Sequence, residues 1–299
     1  MPKPLISIIV PTYNRAHLLP ATIRSLQAQE FRDFEIIIID DGSNDHTEQS
    51  IKPFLNDYTQ YFKKINGERA AARNFGLRLS KGKYINFFDS DDLALPNHVG
   101  EAARMIKLFD EPEWFHLAFE WVTSDGFLIK KINQCNGKVL NDKMVRGNQL
   151  SCNGVFIRND ITRSYPFNED RLLTTAEDYE LWLRLASRFP LFYSNKITSQ
   201  IVDHNTRSVR TNKGKKLINS VHYFLCCIEL DPAIKKYYGK NIALIYADAY
   251  SYIALHLSDY TRWKMTSISY LFKSVRSSLA FVRGRRFIAI IRNLIFRWG

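Results

Sequence analysis

Apolar residues in the first part of the chain come in short unbroken runs separated by polar clusters. Leu5-Ile6-Ser7-Ile8-Ile9-Val10 is closed by Pro11, and Phe34-Glu35-Ile36-Ile37-Ile38-Ile39 by Asp40-Asp41-Gly42-Ser43. Both are rich in β-branched residues and too short for helices, so each predicts a fully buried strand. Tyr84-Ile85-Asn86-Phe87-Phe88, closed by Asp89-Ser90-Asp91-Asp92, predicts a third. Between the runs the apolar spacing becomes helical. Leu19, Ile23 and Leu26 share a face, with Pro20 in the first turn where a missing N–H is harmless. Thr47 to Leu55 predicts a weaker helix. From Glu68 to Ser80, Ala72, Phe75, Gly76 and Leu79 share one face and Arg69 and Arg73 another, which predicts a helix with a basic edge. The order strand, helix, strand, helix, helix, strand predicts a mostly parallel sheet with covering helices.

Beyond residue 112 the pattern changes to α+β. Short strands are expected at Trp114 to Val122, Phe127 to Ile132 and Val155 to Ile157, followed by a helix from about Thr175 to Arg188. Ala176, Tyr179, Leu183 and Ala186 line one side of that helix, and Glu177 and Asp178 occupy its first turn, where the helix dipole alone favours acids by about 0.3–1 kcal/mol. From about residue 214 strand character is lost, and helices rich in Tyr, Phe, Ile and Leu follow.

The three predicted strand ends carry the chemistry. Ligands of parallel sheets bind at the carboxyl ends of strands near the topological switch point, and Pro11-Thr12-Tyr13-Asn14, Asp40-Asp41 and Asp89-Ser90-Asp91 all lie there. The last is a crowded acidic cluster. Two like charges at about 4 Å repel by roughly 1 kcal/mol in water and about 4 kcal/mol at an effective dielectric of 20. A divalent ion bridging to phosphate oxygens removes that repulsion, and oxygen ligands suit Mg²⁺ or Mn²⁺. The alternative is a solvated loop that also caps a helix.

Composition sharpens this in two places. The chain has 299 residues, 45% hydrophobic, so a sizeable core is available. Its formal charge of +12 is uneven: residues 260–299 hold nine Lys/Arg and no acid, whereas the remainder carries 33 basic against 30 acidic residues. A basic tail on a nearly neutral body points to an anionic surface, either nucleic acid or anionic lipid. Phe272, Phe281, Phe287, Ile288, Ile291, Leu294, Ile295 and Trp298 are interleaved with Lys273, Arg276, Arg283, Arg285, Arg286, Arg292 and Arg297, a mixture that suits a helix lying in a membrane interface. Arg292-Asn293 interrupts its most apolar stretch, so lying on the membrane is expected rather than crossing it. A helix packed on its own domain with a solvated basic face is the plainer alternative. Cys135, Cys152, Cys226 and Cys227 show no CxxC spacing, which fits a reducing compartment without a zinc site or disulfide framework. The apolar run at the start is too short for a signal peptide or a spanning helix, so a cytoplasmic location is expected.

Five motifs in order, Ser7-Ile8-Ile9-Val10-Pro11-Thr12-Tyr13-Asn14-Arg15, Asp40-Asp41-Gly42-Ser43-Asn44-Asp45, Ala70-Ala71-Ala72-Arg73-Asn74-Phe75-Gly76, Phe88-Asp89-Ser90-Asp91-Asp92 and Glu177-Asp178-Tyr179-Glu180-Leu181-Trp182-Leu183-Arg184, closely resemble the family 2 inverting glycosyltransferases of GT-A fold. The resemblance covers roughly residues 1–210. It implies an α/β, mostly parallel Rossmann-like sheet flanked by helices: a GT-A domain at 1–212, with a nucleotide-binding half (1–110) and an acceptor-binding half (111–212), followed by a basic helical segment at 213–299. It further implies that Pro11, Thr12, Tyr13 and Arg15 cradle the nucleotide, with Tyr13 against the base. Asp40 would accept the base N–H, with Asp41 beside it, and Arg73 would face the nucleotide and its acids. Asp89 would reach the ribose, Ser90 would act as spacer and Asp91 as metal ligand, while Asp92 is expected to cap the next helix. Asp178 would be the catalytic base, supported by Glu177. His204 would stand near the metal or diphosphate, with Arg207 and Arg210 as further diphosphate contacts.

The reaction implied is metal-dependent transfer of one sugar, with inversion, from a nucleotide-sugar, expected to be UDP-linked, to an acceptor hydroxyl. The acceptor is expected to be a saccharide or lipid-linked saccharide in bacterial surface-glycan assembly at the inner face of the plasma membrane, with Mn²⁺ or Mg²⁺ as cofactor. The QxxRW signature of processive members is missing, which favours single transfer. Three rivals differ in class. A non-catalytic nucleotide-sugar-binding or scaffold protein of the same fold would have lost Asp91 or Asp178. A nucleic-acid binder would need a stacking platform or reading helix, and no nucleic-acid partner is expected. A dinucleotide oxidoreductase would carry GxGxxG after the first strand.

Overall fold

The computed structural model describes residues 3–132, 140–204 and 214–296. Cys135, Arg207, Arg210, Arg297, Trp298 and the expected boundary at 212/213 lie outside the described residues, as does the side chain of Arg283. The chain forms two compact units: Met1–Leu140 with Leu150–Glu169 and Phe189–Asn205, and Asn141–Gln149 with Asp170–Arg188 and Thr206–Gly299.

The first unit is built on a nine-stranded sheet. Its strands are β1 (Ile6–Thr12), β2 (Phe34–Asp40), β3 (Thr59–Lys63), β4 (Tyr84–Phe87), β5 (Leu93–Ala94), β6 (Trp114–Thr123), β7 (Leu128–Ile132), β8 (Val155–Arg158) and β9 (Phe192–Asp203). The order is β3-β2-β1-β4-β8-β6-β9-β5, with β7 paired to β6. The block β3-β2-β1-β4 is wholly parallel, whereas β8 runs antiparallel to both neighbours and β6 pairs parallel with β9. The parallel block is thus the sheet that the β-branched runs predict, and the rest is mixed.

Helices α1 (Leu19–Gln27), α2 (Thr47–Ile51), α3 (Glu68–Leu79), α4 (His98–Leu108) and α5 (Asn159–Ser164) belong to this unit. Leu19, Ile23 and Leu26 of α1 and Val99, Ala102, Met105 and Ile106 of α4 join Ile6, Ile8, Val10, Ile36 and Ile38 in one core, as their spacing requires. On the other face α3 lies so close to β1 that a Cβ at Gly76 would stand 2.4 Å from Ile9 Cγ2, so no larger residue fits.

Three strands escape the hydrophobic pattern, the two-residue β5 among them. β3 follows α2 as the edge of the sheet with only Thr59 buried, so its polar sequence is the expected one for an edge. β9 buries Ser194, Thr198 and Ser199, and polar residues in a core strand erase the apolar signal. Arg73, on the basic edge of α3, is only 2% exposed. One sequence expectation is corrected. Asp92 caps no helix: its fully buried carboxylate accepts from Asn153 Nδ2 (2.8 Å) and from the backbone N–H of Val202 (2.9 Å), joining the acidic loop to β9 and to the turn before β8.

The second unit is helical: α6 (Glu177–Ala186), α7 (Lys215–Leu230), α8 (Pro232–Tyr238), α9 (Ile242–Ser258), α10 (Lys264–Ser277) and α11 (Arg285–Phe296). Asp231 begins α8 by accepting from the N–H groups of Ala233 and Ile234, with Pro232 in the first turn. Among the described residues no helix is long and apolar enough to cross a membrane.

Candidate functional site

In the first unit, parallel register sets Thr12 beside Asp40, while Ile9 pairs with Phe87, so the ends of β1, β2 and β4 open on one edge. Each end turns away under side-chain control. Asn14 takes φ 51°, a left-handed conformation that Asn tolerates, and four hydrogen bonds clasp its turn to the one after β2. The N–H groups of Asn14, Arg15 and Ala16 donate to Ser43 Oγ (2.8 Å), Thr47 Oγ1 (3.2 Å) and Asp45 Oδ2 (3.2 Å), and that of Asn44 donates to Asn14 Oδ1 (3.0 Å). Burial pushes the Asp45 carboxyl up, but the hydrogen bonds it accepts from Thr47 and Ala16 outweigh this and hold it below its ordinary value. The clasp leaves Tyr13 48% exposed above buried Pro11 and Thr12, whose hydroxyl has no partner among the described residues.

The two aspartates after β2 face inward. Asp40, fully buried, accepts from Tyr61 OH (2.5 Å) and the N–H of Ser43 (2.7 Å). Burial and the Asp40 carboxylate both push the Tyr61 hydroxyl's pKa up, so the proton stays on Tyr61. Asp41 Oδ1 pairs with Lys64 Nζ at 2.7 Å and accepts the N–H of Gly67 at 2.9 Å. Tyr61 and Lys64, on and just after β3, are absent from the sequence assignment because β3 itself leaves no apolar signal.

The acidic loop after β4 sends its three carboxylates in three directions, which relieves the crowding anticipated from sequence. Asp92 points inward. Asp89 Oδ1 meets Arg73 NH2 at 3.0 Å, and the Arg73 guanidinium lies 5.0 Å from the centre of the Phe167 ring. Asp91 Oδ2 stands 2.9 Å from His204 Nε2 and 3.8 Å from Arg15 NH2. Ser90, buried between them, spaces the two acids. The loop is shaped by Asn153, a fully buried residue without a motif. Its Oδ1 accepts the N–H of Asp89 (2.8 Å), its Nδ2 donates to Asp92, and its carbonyl accepts from Asn86 Nδ2 (2.9 Å).

Asp91 and His204 offer one carboxylate oxygen and one imidazole nitrogen. Among the described residues no three His, Cys, Asp or Glu side chains are grouped to hold a metal by themselves. A two-ligand protein contribution fits an ion that completes its shell with phosphate oxygens and water, as Mg²⁺ and Mn²⁺ do.

In the second unit, Asp178 is the second residue of α6. Its Oδ2 accepts from Asn148 Nδ2 at 3.0 Å and its Oδ1 from the N–H of Tyr179 at 2.7 Å. Buried Glu177 accepts the N–H of Thr175 at 2.8 Å. Thr175 has φ 80°, which is a genuine outlier for a β-branched residue and marks strain directly before the helix. A cavity of about 300 Å³ in the same unit is lined by Arg171, Leu172, Thr174, Lys216, Asn219 and Ser220.

The chain's likeness to known proteins agrees with this geometry. The family model Glycosyl transferase family 2 matches residues 7–114. A glycosyltransferase of Rickettsia bellii is 32% identical over 228 residues, which are 74% of this chain and 32% of that protein. WfaP of Escherichia coli, a UDP-Glc:alpha-D-GlcNAc-diphosphoundecaprenol beta-1,3-glucosyltransferase, is 28% identical over 217 residues, 72% of this chain and 83% of WfaP. The chain spans about a third of the length of the first curated relatives it matches. Among solved structures, S. aureus TarS 1–349 in complex with UDP-GlcNAc superposes with a TM-score of 0.72 at 18% identity, covering 97% of this chain and 88% of that one. The fold is therefore GT-A.

Proposed function

Because the chain belongs to glycosyltransferase family 2, we propose that it transfers a single sugar, with inversion, from a UDP-linked donor to an acceptor hydroxyl. The observation that carries this reading is the Asp91–His204 pair at the end of the parallel block, beside Asp89–Arg73 and an outward Tyr13. Tyr13 gives the base a ring to lie on, Thr12 offers an unpartnered hydroxyl, and Asp89 an acceptor for ribose hydroxyls. Pro11, Asp40 and Asp41 shape the floor. Asp91 and His204 hold a divalent ion, which supplies positive charge to the departing diphosphate when bound, and Arg15 adds a fixed cation beside them. Asp178 takes the proton from the acceptor hydroxyl as it attacks the anomeric carbon, and Glu177 fixes the backbone before it.

The acceptor is a lipid-linked saccharide presented at the inner face of the membrane. WfaP's substrate supports this, as does the outward surface of the last two helices. Phe272, Ile288, Ile295 and Phe296 are 55–78% exposed there, and Arg285 and Arg292 are exposed beside them. Exposed apolar side chains among cations without acids complement an anionic lipid surface.

Calorimetric titration of the protein with UDP, GDP, dTDP and CDP, with and without Mn²⁺, tests the donor reading. Selective UDP binding that requires Mn²⁺ is the expected result. Binding of another nucleotide alone changes the donor, and binding of none overturns the donor site.

A further inference from the structure

We infer that Asn148 is a positioning residue for Asp178, and that it is held in place by an ion pair between Arg286 on the C-terminal helix α11 and Asp248 on α9. This rests on the reading of Asp178 as the base. All the residues concerned lie in the second unit.

The chain of contacts begins where α11 packs on α9. Ile290 is fully buried between two polar anchors at helical spacing. Asn293 Nδ2 donates to Ser258 Oγ (3.1 Å) and Asp259 Oδ1 (3.0 Å), and Arg286 NH1 donates to Asp248 Oδ1 (2.6 Å) and Ser251 Oγ (2.8 Å). The polar interruption Arg292-Asn293 read from sequence thus has one inward half, Asn293, which is an anchor of the helix on its own unit.

Asp248 is partly buried, its side chain 21% exposed. Burial pushes its carboxyl up from the ordinary value, and the charge and hydrogen bond of Arg286 oppose that push. The carboxylate lies directly against the backbone of Gly147. A Cβ at Gly147 would stand 2.9 Å from Asp248 Oδ2 and 3.0 Å from Oδ1, and φ at Gly147 is +99°. Both the space and the conformation demand glycine, so the turn is seated on the carboxylate.

The next residue is Asn148, whose amide donates to Asp178 Oδ2 at 3.0 Å. Four residues before it, the carbonyl of Met144 accepts from Tyr179 OH at 2.5 Å. The segment from Met144 to Asn148 is therefore pinned to the first turn of α6 at both ends and braced by Asp248 at Gly147, directly before Asn148. With the N–H of Tyr179 on Oδ1, the Asn148 amide on Oδ2 sets the plane of the Asp178 carboxylate, and a base must be oriented towards the proton it takes. Removing Arg286 leaves the braced carboxylate to shift or protonate, and Asn148 loses its seat. A residue at the C-terminal end of the chain then acts on proton transfer without touching substrate.

The test uses the full chain, UDP-glucose as donor, a short-chain polyprenyl-diphospho-N-acetylglucosamine as acceptor, UDP release as the rate, and hydrogen exchange over residues 141–149. Asn148→Ala is expected to lower kcat about tenfold, the loss of one hydrogen bond to a charged group, with donor KM unchanged. Arg286→Met is expected to lower kcat less and to accelerate exchange at 141–149, while Arg286→Lys restores slow exchange. Added to Asp178→Asn, Asn148→Ala is expected to have no further effect. If Asp178→Asn abolishes turnover but Asn148→Ala leaves kcat unchanged, the positioning role is overturned and the base reading stands. If Asp178→Asn turns over normally, the base reading falls first. Exchange at 141–149 that is indifferent to Arg286→Met removes the ion pair from the chain of contacts, whatever the rates show.

Discussion

The strand-end site of the first unit and the surroundings of Asp178 in the second solve the same problem, holding carboxylates at fixed positions, by different means. At the strand ends neighbouring parallel strands fix the main chain, and short turns clasped by Asn14, Ser43, Asp45 and Thr47 set the direction in which the chain leaves the sheet. Around Asp178 the carboxylate depends on Asn148, 30 residues away, whose turn is braced from α9 and α11. The first arrangement is rigid by construction, because every turn is anchored in the sheet. The second is adjustable, since its brace is a partly exposed ion pair that is lost when either partner is removed.

The largest effects should separate the two sites by function. Asp178→Asn is expected to reduce turnover about 10²–10⁴-fold, the range of a general base, with Mn²⁺-supported UDP binding unchanged in calorimetry. Asp91→Ala should show the converse, loss of Mn²⁺-dependent UDP binding. Variants that both fail in binding would merge the two sites into one.

Next comes the rigidity of the strand-end site. Asp92→Ala leaves Asn153 Nδ2 and the N–H of Val202 without their carboxylate. A cost of about 2–3 kcal/mol is expected in urea unfolding, from two orphaned donors. A change below about 0.5 kcal/mol would mean that the loop is held by something other than this clamp.

Two buried histidines of the sheet unit, His98 and His116, give a pH signature. Burial lowers both His98 and His116 from 6.5 to about 3. The unfolded chain therefore takes up protons first as pH falls below about 6.5, and stability is lost from there towards pH 3. The slope is at most about 1.4 kcal/mol per pH unit for each histidine. Melting curves from pH 7.5 to 4.5 should show this decline, and His98→Gln should make it shallower. A flat profile would mean that neither ring is kept neutral.

The smallest expected effect belongs to the lipid surface. Each of Arg285→Gln and Arg292→Gln should weaken sedimentation with phosphatidylglycerol vesicles by about 1 kcal/mol at low salt, leaving nucleotide binding untouched. Equal binding to phosphatidylcholine vesicles would remove the electrostatic part of the proposal.

Much of the strand-end site was legible in sequence because buried parallel strands leave an unmistakable β-branched run, and the residues that end such runs share an edge by topology. Tyr61, Lys64 and Asn153 were not legible. They act through a half-exposed edge strand and a buried amide, neither of which alters a hydrophobic pattern. Arg73 was recognised by its motif, whereas helical periodicity gave only a basic edge and could not show that its guanidinium lies on Phe167 beside Asp89.

The sequence by itself determined β1, β2 and β4, the helices packed on them, the common edge of Asp40, Asp89 and Asp91, and the helix that carries Asp178, because local spacing and run length decide these. Packing decided that Asp92 turns inward and that Arg286 braces the turn beside Asp178, and it supplied the contact of His204 with Asp91 that only the resemblance had implied. Each of those depends on contacts between residues 38 to 113 positions apart, and side chains that distant meet only through the way whole elements pack.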